Sequence, residues 1–279
     1  MNATDSMFRA NAAHSTALDD TQARPDDRHL AIQRVGIRGL RHPVRVANVG
    51  GDAQATVATF AMYVGLPEHV KGTHMSRFAQ LLAEGLDVVT PASFLALSRT
   101  MQTRLEAQSS YLEMRFPYFR RKRAPISGYE SLLDADVAFI VDAKENGDAK
   151  LIIEVIAPVT SLCPCSKKIS DYGAHNQRSH ITIRAEAAES LTIDALIEIA
   201  EQQASSELYS VLKRVDEKFV TERAYDNPKF VEDLVRDIAL ACSAHAQIGD
   251  YMVASENFES IHNHSAYAEL YGRGKLMSS

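Results

Sequence analysis

This chain carries the segment Val159-Thr160-Ser161-Leu162-Cys163-Pro164-Cys165-Ser166-Lys167-Lys168 at the end of a strand-like apolar run that begins at Leu151. The segment leads into Gly173-Ala174-His175-Asn176-Gln177-Arg178-Ser179-His180. Two of the chain's three cysteines lie here, separated by one proline. A soft sulfur ligand followed by an imidazole a dozen residues later is a donor pair with which proteins hold zinc or a similar borderline metal.

Each of these residues also has a simpler interpretation. Free cysteines are often small buried hydrophobes, but the polar neighbours Ser166 and Lys167 argue against burial of the pair. On an extended chain, Cys163 and Cys165 would point to the same side. His175 could be an ordinary surface residue, although flanking polar groups can fix the tautomer of an imidazole that binds metal. Two cysteines without a second Cys-x-x-Cys pair are a weak zinc signal.

Composition restricts the class of protein. The 279-residue chain is 46% apolar, which is ample for one large domain or two smaller ones. Its net charge of -6 is unlike that of most nucleic-acid-binding proteins, so we expect no nucleic-acid partner. Three cysteines are too few for a disulfide framework, which indicates a cytoplasmic location. No apolar run approaches the roughly 20 residues of a membrane span, so we expect no membrane partner. Residues 1–30 are rich in Asp, Ala, Thr and Asn, and we interpret them as a flexible tail.

Hydrophobic spacing predicts strands followed by helices in both halves of the chain. Predicted strands cover residues 44–49, 55–64, 111–117, 135–142, 151–159, 179–185, 215–221 and 250–258. Predicted helices cover residues 75–82 with a stop at Gly85, 91–105, 196–203, and 227–242 with Asn227-Pro228 as the cap. Gly50-Gly51-Asp52 and Asn146-Gly147-Asp148 are the expected hairpin turns. This order indicates an α+β fold of two related units rather than alternating βαβ.

Three further groups are candidate site residues. His262 and His264 would share one face of an extended segment, which suits metal ligation or proton transfer, or simply a polar exposed strand. Glu217 alternates with Phe219, so it either faces an apolar interior and needs a cationic partner, or faces solvent in the reverse register. Glu232 lies in the first turns of a predicted helix, where the helix dipole favours acids without any further role.

Arg120-Arg121-Lys122-Arg123 is a dense basic cluster in an acidic protein. It is either a solvated loop or a binding site for an anionic ligand such as a polyphosphate. The sequence has neither a G-x-G-x-x-G motif nor a Walker lysine. A polyphosphate would therefore be held by side chains.

Two segments, Pro158–Lys167 and Gly173–Ser179, together resemble the signature of GTP cyclohydrolase I type IB, whose prokaryotic members start folate synthesis. The similarity extends to Lys71–Phe78, Asp216–Glu222 and Ser260–His264 and covers about residues 30 to 275. Motifs of this length and composition are specific. The resemblance therefore implies a fold, a site and a reaction.

The implied fold is a tunnelling fold, in which each chain carries two ββαα units and oligomers close antiparallel sheets into a barrel. For this chain we expect a catalytic domain over residues 31–279, with approximate units 31–150 and 151–279. The resemblance also implies a homotetramer with active sites between subunits.

By the same resemblance, Cys163, His175 and Glu217 match the family's metal ligands, a mixed set that would accept Zn²⁺, Mn²⁺ or Fe²⁺. Glu232 matches the glutamate that anchors the guanine of the substrate GTP. His262 matches a site histidine suited to proton transfer or to extra ligation. Cys163, His262 and Glu232 are therefore the expected catalytic residues.

The implied reaction converts GTP and water into 7,8-dihydroneopterin triphosphate and formate. Cationic side chains would hold the triphosphate, and Lys167, Lys168, Arg120 and Arg121 are the candidates. Three alternatives remain open. A tunnelling-fold nitrile reductase of queuosine synthesis would use a nucleophilic cysteine and NADPH without a metal. A non-catalytic metal-binding protein would leave GTP unchanged, and an archaeal-type cyclohydrolase would release a cyclic phosphate.

Overall fold

Alternating apolar residues make the long strands of this protein two-sided, with one side buried. The computed structural model describes residue 22 and residues 24–47, 52–84 and 86–276. Its strands are β1 (Ile32–Ala47), β2 (Ala53–Leu66), β3 (Val88–Val89), β4 (Ser110–Arg123), β5 (Glu130–Ala143), β6 (Ala149–Leu162), β7 (Asn176–Ala187), β8 (Ser206–Glu207), β9 (Ile248–Phe258) and β10 (Ser265–Arg273). Its helices are α1 (Met75–Ala83), α2 (Pro91–Arg104), α3 (Pro164–Ile169), α4 (Ile193–Gln203), α5 (Arg214–Asp226) and α6 (Val231–Ala244).

The strands form one sheet in the order β10-β9-β7-β6-β5-β4-β2-β1-β3, and the two-residue β8 pairs with β6. The long strands all pair antiparallel, whereas β3 runs parallel to β1. The β5–β6 hairpin joins the two halves of the chain. Its turn is the predicted Asn146-Gly147-Asp148, in which Gly147 has a φ of 89° and the N–H of Lys144 donates to the carbonyl of Asp148 at 2.8 Å.

The two halves repeat one order of elements. In the first half, β1 and β2 precede α1 and α2, and β4 and β5 follow. In the second half, β6 and β7 precede α4, α5 and α6, and β9 and β10 follow. The predicted α+β class and the order of strands before helices are therefore confirmed.

Four helices, α1, α2, α4 and α6, share one apolar core with the sheet. Phe94 of α2, Leu196 of α4 and Leu234 of α6 are fully buried in the same apolar cluster as Ile153 of β6. Cys242 of α6 belongs to this cluster as well. Burial raises the pKa of its thiol to about 12. This third cysteine is therefore an unreactive core residue.

Residues 215–221 form part of α5, so the predicted strand there is wrong. Val215 and Phe219 are four residues apart, and that spacing fits one face of a helix as well as an alternating strand. Both side chains are exposed, and the buried residues of this helix are Asp216 and Ala224. The short apolar pattern therefore did not distinguish the period of a helix from the period of a strand.

The start of α6 also differs from the prediction. Asn227 ends α5 instead of opening the next helix, and its side-chain amide donates to the carbonyl of Ala204 at 2.8 Å. The N-cap of α6 is Phe230, whose N–H donates to the carboxylate of Asp233 at 3.0 Å. Because an acid three residues into the helix satisfies this N–H, the helix starts later than the Asn-Pro pair indicated.

The carboxylate of Asp216 is fully buried and fastens the β4–β5 turn to the start of α5. Its oxygens accept the N–H groups of Ile126 at 2.9 Å, Ser127 at 2.8 Å and Lys213 at 2.9 Å. They also accept the hydroxyl of Ser127 at 2.7 Å. Burial alone would raise the pKa of Asp216, but these hydrogen bonds hold it well below its usual range.

We expect Asp216→Asn to lower the free energy of unfolding at neutral pH, because an amide offers one acceptor oxygen where these donors need two. A carboxyl group whose pKa is depressed by folding stabilises the protein above its unfolded pKa of roughly 3.9 and loses that contribution as the pH falls. The difference from wild type should therefore shrink below about pH 4. Urea unfolding at neutral and acidic pH measures this difference in the free energy of unfolding. The control is Asp226→Asn, which changes an exposed aspartate of the same helix. If Asp216→Asn and wild type were equally stable at neutral pH, the carboxylate of Asp216 would not stabilise the contact between the β4–β5 turn and α5.

Some predictions fall on residues outside the described part of the chain: Val49, Gly50 and Gly51 of the first hairpin, the stop at Gly85, and most of the tail over residues 1–30. Within that tail, the N–H of Asp26 donates to the carbonyl of His69 at 3.1 Å, and Pro25 forms an isolated bridge with Val70. Contacts with the folded chain therefore begin before residue 30. None of the described helices has the length and hydropathy needed to cross a membrane.

Candidate functional site

The pairing of β6 with β7 brings Cys163 and His175 together. In this hairpin Ser161 lies opposite Gln177, and Leu162 lies opposite Asn176. The next residues outward are Cys163 and His175, and the N–H of Cys163 donates to the carbonyl of His175 at 3.1 Å. Two residues that are a dozen positions apart in sequence therefore lie side by side at the end of the sheet.

Helix α3 fills the connection between these strands and orients the thiol. Cys163 is the N-cap, and its sulfur accepts the N–H of Ser166 at 3.5 Å. The hydroxyl of Ser166 donates to the carbonyl of Cys163 at 3.1 Å and accepts the N–H of His175 at 3.2 Å. Since the helix begins at Pro164, Cys163 and Cys165 do not continue an extended chain as expected. Cys163 is partly exposed, and Cys165 is exposed outside the cavity described below.

His175 is held by polar side chains that the strand pairing supplies. Its Nδ1 lies 2.9 Å from Oε1 of Gln177. Nε2 of Gln177 donates to the hydroxyl of Ser161 at 3.1 Å, and that oxygen lies 2.7 Å from the hydroxyl of Ser179. The hydroxyl of Ser260 approaches the same Nδ1 at 3.3 Å. Flanking polar groups therefore do hydrogen-bond to this imidazole, and which ring nitrogen carries the proton stays a prediction.

The first turn of α6 reaches the same end of β6. The N–H of Lys229 donates to the carbonyl of Leu162 at 3.0 Å, which fixes the start of the helix beside Cys163. The ammonium of Lys229 forms an ion pair with Asp237 at 2.5 Å. Glu232 is exposed in this first turn, where its charge faces the positive end of the helix dipole.

The segment after β9 contributes the histidine pair. The rings of His262 and His264 stack with centroids 5.2 Å apart and planes inclined by 11°. The backbone there bends between β9 and β10, so the expectation of an extended segment is wrong although the two rings do lie together. Asn257, near the end of β9, lies opposite Ser179 of β7, and this pairing directs the segment toward His175.

These elements surround a cavity of about 300 Å³. Four predicted site residues line it: Cys163, His175, Glu232 and His262. His264, which the sequence analysis paired with His262 as a candidate, also lines the cavity. The polar lining includes further residues that the sequence analysis did not assign to the site: Gln177, Lys229, Asn257 and Glu259. Gln177 lies within the sequence motif around His175, and that motif was the available signal for it. Nothing in the local pattern of the other three pointed to this cavity.

Glu217, the third predicted metal ligand, is not part of this cavity. It is exposed in the first turn of α5, next to the buried Asp216. Among the residues that the structure describes, no three Cys, His, Asp or Glu side chains are grouped closely enough to hold a metal ion. The donor chemistry of the other two ligands nevertheless fits a metal. Cys163 offers a partly exposed sulfur, and His175 has Nδ1 occupied by Gln177, which leaves Nε2 free to bind.

The predicted triphosphate ligands lie outside the lining of this cavity. The guanidinium of Arg120 contacts Asp194 at 3.2 Å and Glu201 at 2.7 Å, and it also pairs with Glu198. Alternation along β4 turns this side chain toward α4, so it is not the free cation that the basic cluster indicated.

The other three predicted triphosphate ligands are either exposed or bonded to neighbouring residues. Arg121 faces the opposite side of β4, is 74% exposed and pairs with Glu130 at 3.1 Å. The ammonium of Lys167 lies 4.2 Å from the ring centroid of Tyr225 and donates to that residue's carbonyl, which links α3 to the end of α5. Lys168 is exposed on α3.

Comparison with known proteins gives consistent results. A sequence model of one protein family, described as type I GTP cyclohydrolase folE2, matches residues 18–268. GTP cyclohydrolase FolE2 1 of Dechloromonas aromatica (strain RCB) is 59% identical over 262 residues, which cover 94% of this chain and 98% of the relative. GTP cyclohydrolase FolE2 of Nitrosomonas eutropha (strain DSM 101675 / C91 / Nm57) is 57% identical over 251 residues, with coverages of 90% and 94%. Among solved structures, a hyperthermostable mutant of Bacillus sp. TB-90 urate oxidase has a TM-score of 0.48 at 9% identity, over 87% of this chain and 96% of its own.

Proposed function

The chain belongs to the FolE2 family of type I GTP cyclohydrolases, and we propose that it is a type IB enzyme that converts GTP and water into 7,8-dihydroneopterin triphosphate and formate. One observation carries this proposal: a single cavity joins the thiol of Cys163, the imidazole of His175 and the carboxylate of Glu232. In the cell this reaction would be the first step of tetrahydrofolate biosynthesis, in the cytoplasm.

Cys163 and His175 would hold a divalent metal ion, Zn²⁺, Mn²⁺ or Fe²⁺, because a thiolate and a neutral imidazole suit all three. When bound there, such an ion would supply Lewis acidity, the chemistry by which metalloenzymes make water a stronger nucleophile near neutral pH. Glu217 stays a proposed ligand by family resemblance. Since it lies outside the cavity lining of its own chain, we propose that it completes the site of another copy in a homotetramer.

Glu232 would anchor the guanine. A carboxylate has two acceptor oxygens, and guanine presents N1–H and the 2-amino group side by side, so the two edges pair through two hydrogen bonds. The position of Glu232 in the first turn of α6, on the lining of the cavity, leaves its side chain accessible to a nucleobase. Adenine lacks both donors in this arrangement, which gives the site a basis for choosing GTP over ATP.

His262 would move protons during opening of the imidazole ring, release of formate and closure of the new ring. His175 is unsuited to this task if it ligates metal, because its Nε2 is then occupied. His262 lies in the bend between β9 and β10, and it lines the same cavity as Glu232. This position supports the proposed role, because a proton-transfer residue must have access to the reacting group.

Lys167, Lys168 and Arg121 remain proposed ligands of the triphosphate. Arg120 fits this role least, because its guanidinium would have to leave Asp194, Glu198 and Glu201 to reach a phosphate. Lys229 lines the cavity itself, and we add it to the proposed set. Its ammonium pairs with Asp237, which lies outside the lining, so binding of a phosphate would require this single ion pair to open or to share the ammonium.

A tunnelling fold and its barrel are proposed on the same grounds. At one end of the sheet, β10 has β9 as its partner, and at the other end β1 is followed by the two-residue β3. Both ends of the sheet therefore offer unpaired backbone groups along most of a long strand, within the part of the chain described. Such edges favour pairing with a further strand, as closure of a barrel from several copies requires.

The test is to incubate metal-free protein with GTP, add one divalent metal at a time, and measure formate together with pterin fluorescence. We expect turnover to return with at least one of Zn²⁺, Mn²⁺ and Fe²⁺, to be lost again with a chelator, and to be absent with ATP. Stoichiometric metal binding without formate would favour a non-catalytic metal-binding protein. NADPH consumption with a nitrile substrate would favour the nitrile reductase. A cyclic phosphate product, identified by its mass, would favour the archaeal-type cyclohydrolase.

A further inference from the structure

A buried chain of hydrogen bonds begins at His175 and runs away from the cavity into the sheet. Oε1 of Gln177 lies 2.9 Å from Nδ1 of His175, and Nε2 of Gln177 donates to Ser161 at 3.1 Å. The hydroxyls of Ser161 and Ser179 are 2.7 Å apart, and both serines are fully buried. Gln177 itself is buried on the core side of β7. A buried amide flanked on both sides by partners has a defined orientation.

We propose that Gln177 is a positioning residue that keeps the proton of neutral His175 on Nδ1 and so leaves the lone pair of Nε2 for a divalent cation. The inference rests on the proposed function, because the cation belongs to it. An amide oxygen can only accept a hydrogen bond, so the imidazole nitrogen that faces it must donate. The other nitrogen of a neutral imidazole is then unprotonated, which is the form that a metal ion binds.

The serines complete this chain of hydrogen bonds. With Nε2 of Gln177 donating to Ser161, the hydroxyl of Ser161 is free to donate to Ser179, and each group in the chain has a partner. Ser260 lies 3.3 Å from Nδ1 of His175, and its hydroxyl can accept the Nδ1 proton or donate to an unprotonated Nδ1. The choice of tautomer therefore rests on the amide oxygen of Gln177, which can only accept.

The tautomer can be measured on the metal-free wild-type protein. Selective ¹⁵N labelling of histidine and long-range ¹H–¹⁵N correlation at alkaline pH, where imidazoles are neutral, distinguish a protonated Nδ1 from a protonated Nε2. The signals of His175 are assigned by their loss in His175→Ala. We expect the proton on Nδ1. A proton on Nε2 in the folded wild-type protein would overturn the inference without recourse to any Gln177 variant.

The consequence for metal binding is tested with Co²⁺, whose visible absorption reports ligation directly. Gln177→Met keeps the length of the side chain without its acceptor, and we expect Co²⁺ to bind roughly 10–100-fold more weakly. Gln177→Glu keeps an acceptor oxygen and should retain wild-type affinity. Ser255→Ala is the control, because it removes a buried hydroxyl of the neighbouring strand β9 that bonds to Asn257 and lies outside the cavity lining. We expect its affinity for Co²⁺ to equal that of wild type.

Each outcome decides between distinct claims. Wild-type affinity in a folded Gln177→Met variant, checked by thermal unfolding, would overturn the positioning role. Equal losses in Gln177→Met and Ser255→Ala would do the same, because they would indicate a general effect of losing a buried polar group near the end of the sheet. If wild-type protein bound no Co²⁺ while His175 carried its proton on Nδ1, the proposed metal-dependent function would fail and the assignment of the tautomer to Gln177 would stand.

Discussion

Cys163→Ala is expected to remove tight metal binding and GTP turnover together. The sulfur of Cys163 lies at the N-terminus of α3 and lines the cavity shared with His175 and Glu232. Alanine offers no donor atom, so the metal would lose its only proposed soft ligand. The loss of turnover should therefore exceed the roughly 10–100-fold loss expected when a residue that merely orients a ligand is changed. Metal content of the purified protein and formate release per subunit are the two measurements.

Two further variants separate ligation from folding. Cys163→Ser keeps an N-cap acceptor for the N–H of Ser166 and should fold normally, yet a neutral hydroxyl is a poor ligand for zinc-like metals, so binding should still be weak. Cys165→Ala changes the neighbouring thiol, which is exposed outside the cavity lining, and should behave as wild type. If Cys163→Ser bound metal and released formate at wild-type levels, the central assignment would be wrong.

The Cys–His half of the site could be predicted from sequence because it depends on local structure. An apolar strand delivers Cys163, a short connection follows, and the antiparallel return of β7 places His175 opposite. Glu232 and His262 required the family resemblance. They reach the cavity only because α6 starts beside the end of β6 and because β9 lies next to β7, and neither adjacency is written in a local pattern.

The basic cluster shows what a strand pattern cannot reveal by itself. Along β4, Arg120 and Lys122 face α4, whereas Arg121 faces the other side of the sheet. Their partners on α4 include Asp194, Glu198 and Glu201, which share one face of that helix and would read as a solvated acidic face in isolation. Only the tertiary fold, which brings the side chains of α4 within reach of β4, converts two apparently exposed charge patterns into a partly buried ion-pair network between the two halves of the chain.

Lys122→Met is therefore expected to cause the largest loss of stability among the changes considered. The ammonium is 6% exposed, pairs with Glu201, which is 5% exposed, and lies 2.7 Å from the carboxylate of Glu207. Removing one member of a buried ion pair costs about 3–5 kcal/mol. Because Arg120 still contacts Glu201 at 2.7 Å and Arg223 still pairs with Glu207, we expect a loss of about 3 kcal/mol, the lower end of that range. The free energy of unfolding, measured in urea at fixed protein concentration, should fall by that amount. The matched control is Arg121→Met, the next residue on the same strand, whose exposed pair with Glu130 should contribute less than about 1 kcal/mol.

The pH dependence provides a second test of the same network. Burial raises the pKa of Glu201 above its usual range, although Lys122 and Arg120 oppose the shift. A carboxyl group whose pKa is raised by folding destabilises the protein as the pH rises through that pKa, and loss of Lys122 should raise it further. The stability difference between wild type and Lys122→Met should therefore be largest at neutral pH and shrink on acidification, as Glu201 takes up a proton. Lys122→Met combined with Glu201→Gln should recover part of the loss, since both charges are then gone. A Lys122→Met variant no less stable than Arg121→Met would show that the network does not hold α4 to β4.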